Sequence, residues 1–301
     1  MEKNKNDNLK NLRKPAWLLK GIEHSDEKHE VNRILKSLEL NTVCRSARCP
    51  NLSECFRHKR ATFLILGSRC TRACRFCSVE KGKPGEFMEP DKDEPERILR
   101  AVKALGLEYV VITSVTRDDL RDGGAGEFAL TIKKLREPDA DVQIEVLTPD
   151  FQGNERSIDT VAEAGPDVYN HNIETVPRLY EKIRPGADYR RSLSLLSYVK
   201  KNYPRIFLKS GLMLGMGEKK DEVFQALSDL KEAGCSAVTI GQYLRPGHWN
   251  IPVHEYVNPQ TFQFYEQEAK RIGFLYVASG PYVRSSYMAH EGYRNMVKKI
   301  N

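Results

Sequence analysis

The chain has 301 residues, of which 40% are hydrophobic and 30% charged, a composition typical of a folded globular protein rather than a disordered one. This length can bury a large core without disulfides, and it allows one large domain or two. No apolar run approaches the roughly 18 residues of a membrane span. Residues 1–21 are charged and lack the apolar centre of a signal peptide, so we expect a cytoplasmic protein without membrane contacts.

The positive charge is concentrated in one segment. Lys and Arg outnumber Asp and Glu by 48 to 41, a formal net charge of +7. Residues 44–77 contain eight Lys or Arg and one acidic residue, so the rest of the chain is neutral overall. Such a segment is typical of contacts with nucleic acid, an acidic protein or an anionic cofactor. Six of the seven cysteines lie in the same segment, which indicates metal or redox chemistry in a cytosolic chain.

Strands and helices are predicted to alternate along most of the chain. Ahead of the cysteine-rich segment, Val31, Ile34, Leu35 and Leu38 share one face of a predicted helix. Strands are predicted over 61–66, 108–113, 142–147, 167–170, 206–214, 236–241 and 274–279. Helices are predicted over 93–105, 126–136, 157–164, 190–201, 221–233 and from 258 onward. About six strand–helix units predict a parallel α/β fold, either an open doubly wound sheet or a partial (β/α)6 barrel of the TIM type.

Polar residues follow several predicted strands, where parallel α/β proteins place their active sites. They are Cys70, Cys74 and Cys77 after the first strand, Asp118 and Asp119 after the second, His171, Asn172 and Glu174 after the fourth, Glu218 after the fifth, and Gln242 and Tyr243 after the sixth. Structural roles fit some of them equally well. Asp118 and Asp119 could form salt bridges or helix caps, His171 could satisfy hydrogen bonds in the core, and Glu218 could begin a helix.

Cys70, Cys74 and Cys77 form a Cx3Cx2C triad directly after the first predicted strand. Three thiolates close together suit an iron–sulfur cluster or zinc. Structural zinc takes four ligands, and no fourth cysteine lies nearby in the sequence. Three ligands leave one metal position open, which favours a reactive cluster.

A second triad, Cys44, Cys49 and Cys55, lies upstream with the different spacing Cx4Cx5C. Two separate three-cysteine sites are therefore simpler than one site with six ligands. The surrounding arginines would offset the negative charge of thiolate-bound clusters, so the basic segment needs no nucleic acid to explain it. Cys235 stands alone at a predicted helix–strand junction, and we expect it to be a small core residue.

The first triad resembles that of the radical S-adenosylmethionine (SAM) superfamily, in which three cysteines hold a 4Fe–4S cluster and SAM ligates the fourth iron. GLMLGMGE at 211–218 resembles the GxIxGxxE element of that superfamily, with Met213 in place of Ile. Further segments narrow the resemblance to the lipoyl synthase family and extend it from about residue 13 to about residue 289. They are NTVCRSARCPNLSEC, ATFLILG, VITSVTRDDLRDGGA, NHNIETVPRLYEKIRPGADY and RSSY at 284–287.

The resemblance implies three regions and two metal sites. An N-terminal extension over 1–58 would carry an auxiliary cluster motif, 59–280 would form the radical SAM partial barrel, and 281–301 would form a C-terminal extension. One 4Fe–4S cluster would bind Cys70, Cys74 and Cys77, and an auxiliary 4Fe–4S cluster would bind Cys44, Cys49, Cys55 and Ser286. The implied SAM contacts are Phe76, Thr113, Asn172, Glu174, Lys209 and Glu218. Without the resemblance, RSSY is interpreted more simply as a capped turn.

The reaction implied is insertion of two sulfur atoms at the sixth and eighth carbons of an octanoyl chain on a carrier lysine. SAM would be cleaved to methionine and a 5'-deoxyadenosyl radical that removes hydrogen, and the auxiliary cluster would donate sulfur. Implied partners are octanoylated carriers of 2-oxoacid dehydrogenases and of glycine cleavage, an electron donor such as ferredoxin or flavodoxin, and an iron–sulfur carrier.

Two alternatives remain open at this stage. A biotin-synthase-like enzyme would share the Cx3Cx2C triad but would need neither the upstream triad nor RSSY. A zinc-stabilised nucleic-acid-binding module would use the basic segment. Its basic residues, however, interleave with cysteines rather than with stacking aromatic residues, so we expect no nucleic acid partner.

Overall fold

A computed structural model describes residues 12–21, 25–137 and 142–300, so the residues 1–11 used in the signal-peptide argument lie outside it. The described strands are β1 (Thr62–Ile65), β2 (Arg69–Cys70), β3 (Glu80–Lys81), β4 (Tyr109–Ser114), β5 (Gln143–Leu147), β6 (Val168–Asn170), β7 (Phe207–Leu214), β8 (Ala237–Gln242) and β9 (Tyr276–Gly280). Among them β2 and β3 pair with each other, and the other seven form one parallel sheet in chain order. In this part of the chain β1 and β9 do not pair with each other, so the barrel is incomplete.

Helices connect each strand of the large sheet to the next. The described α-helices are α1 (Asp26–Ser37), α2 (Val43–Ser46), α3 (Leu52–Arg57), α4 (Glu94–Leu105), α5 (Ala125–Leu135), α6 (Glu155–Glu163), α7 (Tyr180–Ile183), α8 (Tyr189–Asn202), α9 (Lys220–Glu232), α10 (Pro259–Ile272) and α11 (Ala289–Ile300). The described chain thus contains six strand–helix units followed by a seventh strand, and the predicted partial (β/α)6 barrel is confirmed. No helix in the described ranges is long and apolar enough to cross a membrane.

The elements begin and end where the local sequence predicts. Gly106 and Gly273 end α4 and α10 in the left-handed conformation, with φ of 64° and 102°, which glycine adopts without a Cβ clash. Asn258 caps α10 through its side chain, and Pro259 occupies the first turn, where its missing amide costs nothing. Cys235 is 1% exposed, which confirms the predicted core position.

The amino-terminal segment packs against the first strand of the barrel. Thr42 forms an antiparallel bridge with Phe63 of β1, so the segment covers the strand edge that lacks a neighbour in the sheet. Val31 and Leu35 of α1 and Phe56 of α3 are fully buried in the same hydrophobic core as the barrel strands. The Cx4Cx5C segment is therefore fixed beside β1 by packing.

Candidate active site

The Cys70 triad (Cys70, Cys74 and Cys77) lies in the loop beyond the carboxyl end of β1, as predicted. The backbone amides of Arg72 and Val79 donate to the sulfurs of Cys70 and Cys77, each at 3.4 Å. Burial, with a smaller contribution from the thiols of Cys74 and Cys70, raises the pKa of Cys77 to about 11. The loop thus gathers three thiols, and burial raises the pKa of two of them, Cys74 and Cys77, so that an electropositive partner such as a metal would be needed to deprotonate these two.

Asn250, in the segment between β8 and α10, holds this loop by hydrogen bonds. Its buried side-chain amide donates to the carbonyl oxygens of Arg75 and Cys77, at 3.1 and 3.0 Å. The amide of Ile251 adds a hydrogen bond to the Arg75 carbonyl at 3.1 Å. The sequence did not single out Asn250, because its partners lie more than 170 residues away along the chain.

Arg72 anchors the loop by ion pairs. Its side chain is 7% exposed and donates to both carboxylate oxygens of Asp118, at 2.7 and 2.9 Å, and to Asp150 at 2.6 Å. Burial favours the neutral acid, but the hydrogen bond and charge of Arg72 hold the pKa of Asp150 well below its usual range. Asp119 pairs with Arg117 at 2.8 Å. The structure therefore supports the salt-bridge interpretation of Asp118 and Asp119.

Asn172 and Glu174 follow β6, and the Glu174 carboxylate lies near enough to Cys74 to interact with its thiol electrostatically. The Asn172 amide donates to a Glu174 carboxylate oxygen at 3.1 Å, and burial raises the pKa of Glu174. Arg184, which the sequence reading did not single out, donates to the carbonyls of Asn172 and Ile173 at 3.0 Å each. Burial raises the pKa of Cys74, and the nearby charge of Arg184 opposes that rise. Arg184 is thus a cation placed to offset thiolate charge.

Lys209, a predicted SAM contact, is held in a buried ion pair inside the barrel. Its ammonium donates to both carboxylate oxygens of Glu145, at 2.9 and 3.0 Å, and both side chains are almost fully buried. The Glu145 carboxylate also accepts hydrogen bonds from Tyr109 and Asn170, each at 2.8 Å. Lys209 therefore has a structural function, and its contact with SAM stays a prediction.

The other predicted SAM contacts also have partners within the protein. Thr113 donates to the Leu147 carbonyl at 2.9 Å. The Glu218 carboxylate accepts the backbone amide of Gly215 and so stabilises the turn after β7. Phe76 is half-buried and packs against the core. Their roles toward SAM stay predictions, as do those of Asn172 and Glu174.

His171 is a core residue, which is one of its two interpretations from the sequence. Its Nδ1 lies 2.9 Å from the Thr148 carbonyl and its Nε2 lies 3.0 Å from the Ser192 hydroxyl. Burial lowers the pKa of His171 to about 4, so the ring is neutral at pH 7. Gln242 and Tyr243 are likewise buried, with their side chains hydrogen-bonded to backbone carbonyls.

We expect His171 to make stability depend on pH. Its folded-state pKa of about 4 lies below the ordinary value of 6.5, so its contribution is present above pH 6.5 and is lost as pH falls toward 4. In urea denaturation, the free energy of unfolding should fall by about 2 kcal/mol between pH 7 and pH 5. The His171→Gln variant, which has no titrating ring, should lack that part of the decrease. If the free energy of unfolding fell equally with pH in both proteins, His171 would not be a buried neutral ring.

The Cys44 triad (Cys44, Cys49 and Cys55) lines a cavity of about 400 Å³ at the amino end of β1. Arg284 and Ser286 of the RSSY motif line the same cavity, which we call the cysteine cavity. Burial, together with the neighbouring thiols of the triad, raises the pKa of Cys44 to about 11 and that of Cys55 to about 12. The fold therefore brings the predicted oxygen ligand to the predicted thiol ligands.

Hydrogen bonds fix the RSSY motif against the amino-terminal segment. Thr62, the first residue of β1, donates its hydroxyl to the Ser286 hydroxyl at 2.9 Å. The Tyr287 hydroxyl donates to the Glu54 carboxylate at 2.8 Å. RSSY is therefore more than a capped turn, since its side chains join residues 286 and 287 to Thr62 and Glu54, more than 220 residues earlier in the chain.

The ligand chemistry of the Cys70 triad fits a 4Fe–4S cluster. Three thiols from one short loop, beside cationic Arg184, are the donor set that such clusters take. Over the described ranges, no three or more His, Cys, Asp or Glu side chains are arranged to hold a single metal ion.

Comparisons with known proteins agree with these features. The sequence profile of the Radical SAM superfamily, a superfamily that implies a 4Fe–4S cluster and SAM, matches residues 64–230. Lipoyl synthase of Caldanaerobacter subterraneus subsp. tengcongensis is 54% identical over 93% of this chain and 97% of its own length. Lipoyl synthase of Caldicellulosiruptor saccharolyticus is also 54% identical, over 93% of this chain and 97% of its own.

Solved structures show the same fold at low sequence identity. Methylornithine synthase matches with a TM-score of 0.54 and 13% identity, over 84% of this chain and 75% of that protein. Coproporphyrinogen III oxidase from Escherichia coli, a radical SAM enzyme, matches with a TM-score of 0.51 and 13% identity, over 76% of this chain and 57% of its own. The sequence profile and the two curated relatives together place the chain in the lipoyl synthase family of the radical SAM superfamily.

Proposed function

We propose that the two triads divide the work of a lipoyl synthase between them. The Cys70 triad would hold the cluster to which SAM binds, and the Cys44 triad with Ser286 would hold an auxiliary 4Fe–4S cluster that donates sulfur. The observation that carries this proposal is the meeting of Cys44, Cys49, Cys55 and Ser286 around one cavity. A biotin-synthase-like enzyme with a single triad would have no use for this arrangement.

The replacement of hydrogen on unactivated carbon is beyond acid–base side chains. When bound, the first cluster and SAM would supply the radical that removes hydrogen, and the auxiliary cluster would supply sulfur. The protein holds the first loop rigid through Arg72, Asp118 and Asn250. We assign binding of the cationic ammonium group of SAM to Glu174, oriented by Asn172.

The placement of the two sites suits a substrate chain lying between them. The Cys70 triad follows the carboxyl end of β1, whereas Ser286 contacts Thr62 at its amino end. A four-residue strand spans about 10–13 Å, so we place the octanoyl chain across that interval, shielded from water. Serine suits the auxiliary site because an oxygen ligand is more easily replaced than a fourth thiolate when a cluster must open.

We propose that three regions of the chain, which share one core, have different functions. Residues 1–58 would supply the thiols of the auxiliary site, 59–280 the radical chemistry and 281–301 the oxygen ligand. Octanoylated carrier domains of the dehydrogenases and of glycine cleavage would be substrates in the cytoplasm. Ferredoxin or flavodoxin would supply electrons, and an iron–sulfur carrier would rebuild the spent cluster.

The proposal is tested by metal content and by product mass. Protein reconstituted without oxygen should contain about eight irons per chain, as two 4Fe–4S clusters require. Incubated with SAM, a strong reductant and an octanoyl-lysine peptide, it should give a peptide heavier by two sulfur atoms, as the dithiol, which loses two hydrogen atoms when it is afterwards oxidised to the disulfide. About four irons, stoichiometric zinc, or an unmodified peptide in the presence of 5'-deoxyadenosine would contradict it.

A further inference from the structure

Two adjacent hydroxyls in the RSSY motif point to different parts of the molecule. Ser285 faces the barrel interior, where its hydroxyl accepts a hydrogen bond from Asn170 at 2.8 Å and donates one to Asn172 at 3.1 Å. Ser286 faces the cysteine cavity. The bonds of Ser285 fix the backbone of the motif, but they do not determine the direction of the Ser286 hydroxyl, which can rotate about its own side-chain bonds.

Thr62 supplies that missing constraint. It is 4% exposed and sits in the sheet opposite Val111 of β4, so its backbone is fixed. Its branched side chain has restricted rotation, so its hydroxyl is also fixed. That hydroxyl donates to Ser286 at 2.9 Å, and Thr62 lines the cysteine cavity with Cys44.

The hydroxyl is the one thing that distinguishes Thr from Val at this position. Val has the same branched shape and an equal or greater preference for buried strands. The first position of β1 therefore gains nothing from Thr in packing or in strand formation. What Thr adds is one hydroxyl, which donates to Ser286 at 2.9 Å and also lies within hydrogen-bonding reach of the Cys44 thiol.

We propose that Thr62 is a positioning residue for the oxygen ligand of the auxiliary site. Its hydrogen bond occupies one lone pair of the Ser286 oxygen and directs the other toward the cysteine cavity, where a cluster iron would bind. Thr62 would act through its hydrogen bonds to Ser286 and Cys44 and would not itself bind the metal. The inference rests on the proposed function, in which Ser286 is the fourth ligand.

The test uses the full chain with Cys70, Cys74 and Cys77 replaced by alanine, so that only the auxiliary site is loaded. In this background we compare Thr62→Val, which keeps the shape and loses the donor, with Thr62→Ser, which keeps the donor. Ser286→Ala serves as the reference for a cluster without an oxygen ligand. Mössbauer spectroscopy of the reconstituted proteins distinguishes an oxygen-bound iron from the sulfur-bound ones, and a chelator measures the rate of iron loss.

In Thr62→Val we expect the oxygen-bound iron signal to fall toward the level of Ser286→Ala. Iron loss should be about fivefold faster, the factor expected for the loss of one neutral hydrogen bond. Thr62→Ser should restore both. Thermal unfolding of the metal-free proteins, measured alongside, should show the same midpoint for Thr62→Val as for the parent, because a purely structural role would instead lower it.

The possible outcomes distinguish a failure of the proposed role of Thr62 from a failure of the proposed role of Ser286 as a ligand. A Thr62→Val spectrum equal to that of the parent, while Ser286→Ala differs, would overturn the role of Thr62 alone. Failure of Thr62→Ser to restore the signal, or a lowered midpoint that accounts for the faster iron loss, would do the same. A parent spectrum equal to that of Ser286→Ala would overturn Ser286 as a ligand, and the role of Thr62 with it.

Discussion

Cys70→Ala should abolish the reductive cleavage of SAM, whereas Cys44→Ala should leave cleavage largely intact and stop sulfur transfer. The reason is that the two thiols belong to sites beyond opposite ends of β1, each with its own supporting contacts. We expect 5'-deoxyadenosine formation by Cys70→Ala to fall by at least about 10³-fold, the scale seen when an indispensable catalytic group is removed. Formation of 5'-deoxyadenosine and the mass of the octanoyl-lysine peptide are measured in the same reaction.

Cys235→Ala is the matched control for this pair. It also removes one thiol, but that thiol lies in the core between α9 and β8. Both 5'-deoxyadenosine and lipoylated peptide should therefore form at the parental rate. Equal loss of cleavage in Cys70→Ala and Cys44→Ala would show that the two triads act as one site.

The second large effect is expected at the buried ion pair. Lys209→Met leaves the Glu145 carboxylate, which is 1% exposed, without its cation. Removal of one partner of a buried pair typically costs about 3–5 kcal/mol, because the remaining charge cannot reach water. Urea denaturation of the metal-free protein should show a loss of this size in the free energy of unfolding.

The double variant Lys209→Met/Glu145→Gln tests whether the unpaired charge of Glu145 causes the loss of stability. It removes both charges while the Gln amide can still bond to Tyr109 and Asn170, so it should recover at least half of the lost stability. If the single variant is as stable as the parent but binds SAM more weakly, then Lys209 acts as a cofactor contact and not as part of a core pair. SAM affinity of the reconstituted proteins, measured in parallel, decides between the two.

The fold was predictable from the sequence because its signals are local. A run such as TFLI at β1 indicates a buried strand, and Gly106 or Asn258 marks a helix end within one turn. The six strand–helix units follow from these signals, since sequential units pack side by side. The Cys70 triad is equally local, because its three thiols lie within eight residues of each other.

The supporting residues were not predictable, because their partners are distant in the sequence. Arg72 and Asp150 are 78 residues apart, and Asn250 lies 173 residues from Cys77. Nothing in the neighbourhood of Asp150 or Asn250 indicates that they hold the cysteine loop. Lys209 illustrates the converse. The family resemblance predicts that Lys209 contacts the cofactor. Only the structure shows that Lys209 forms an ion pair with Glu145.

The cysteine cavity also constrains the order in which the protein can mature. Two hydrogen bonds hold the segments around this cavity together. They join Thr62 to Ser286, 224 residues apart, and Asn51 to Tyr282, 231 residues apart. During translation the amino-terminal thiols leave the ribosome long before the RSSY segment does, and nascent chains fold from the amino terminus onward. The complete ligand set therefore exists only after synthesis has passed Ser286, so iron and sulfide can fill this site only after that point.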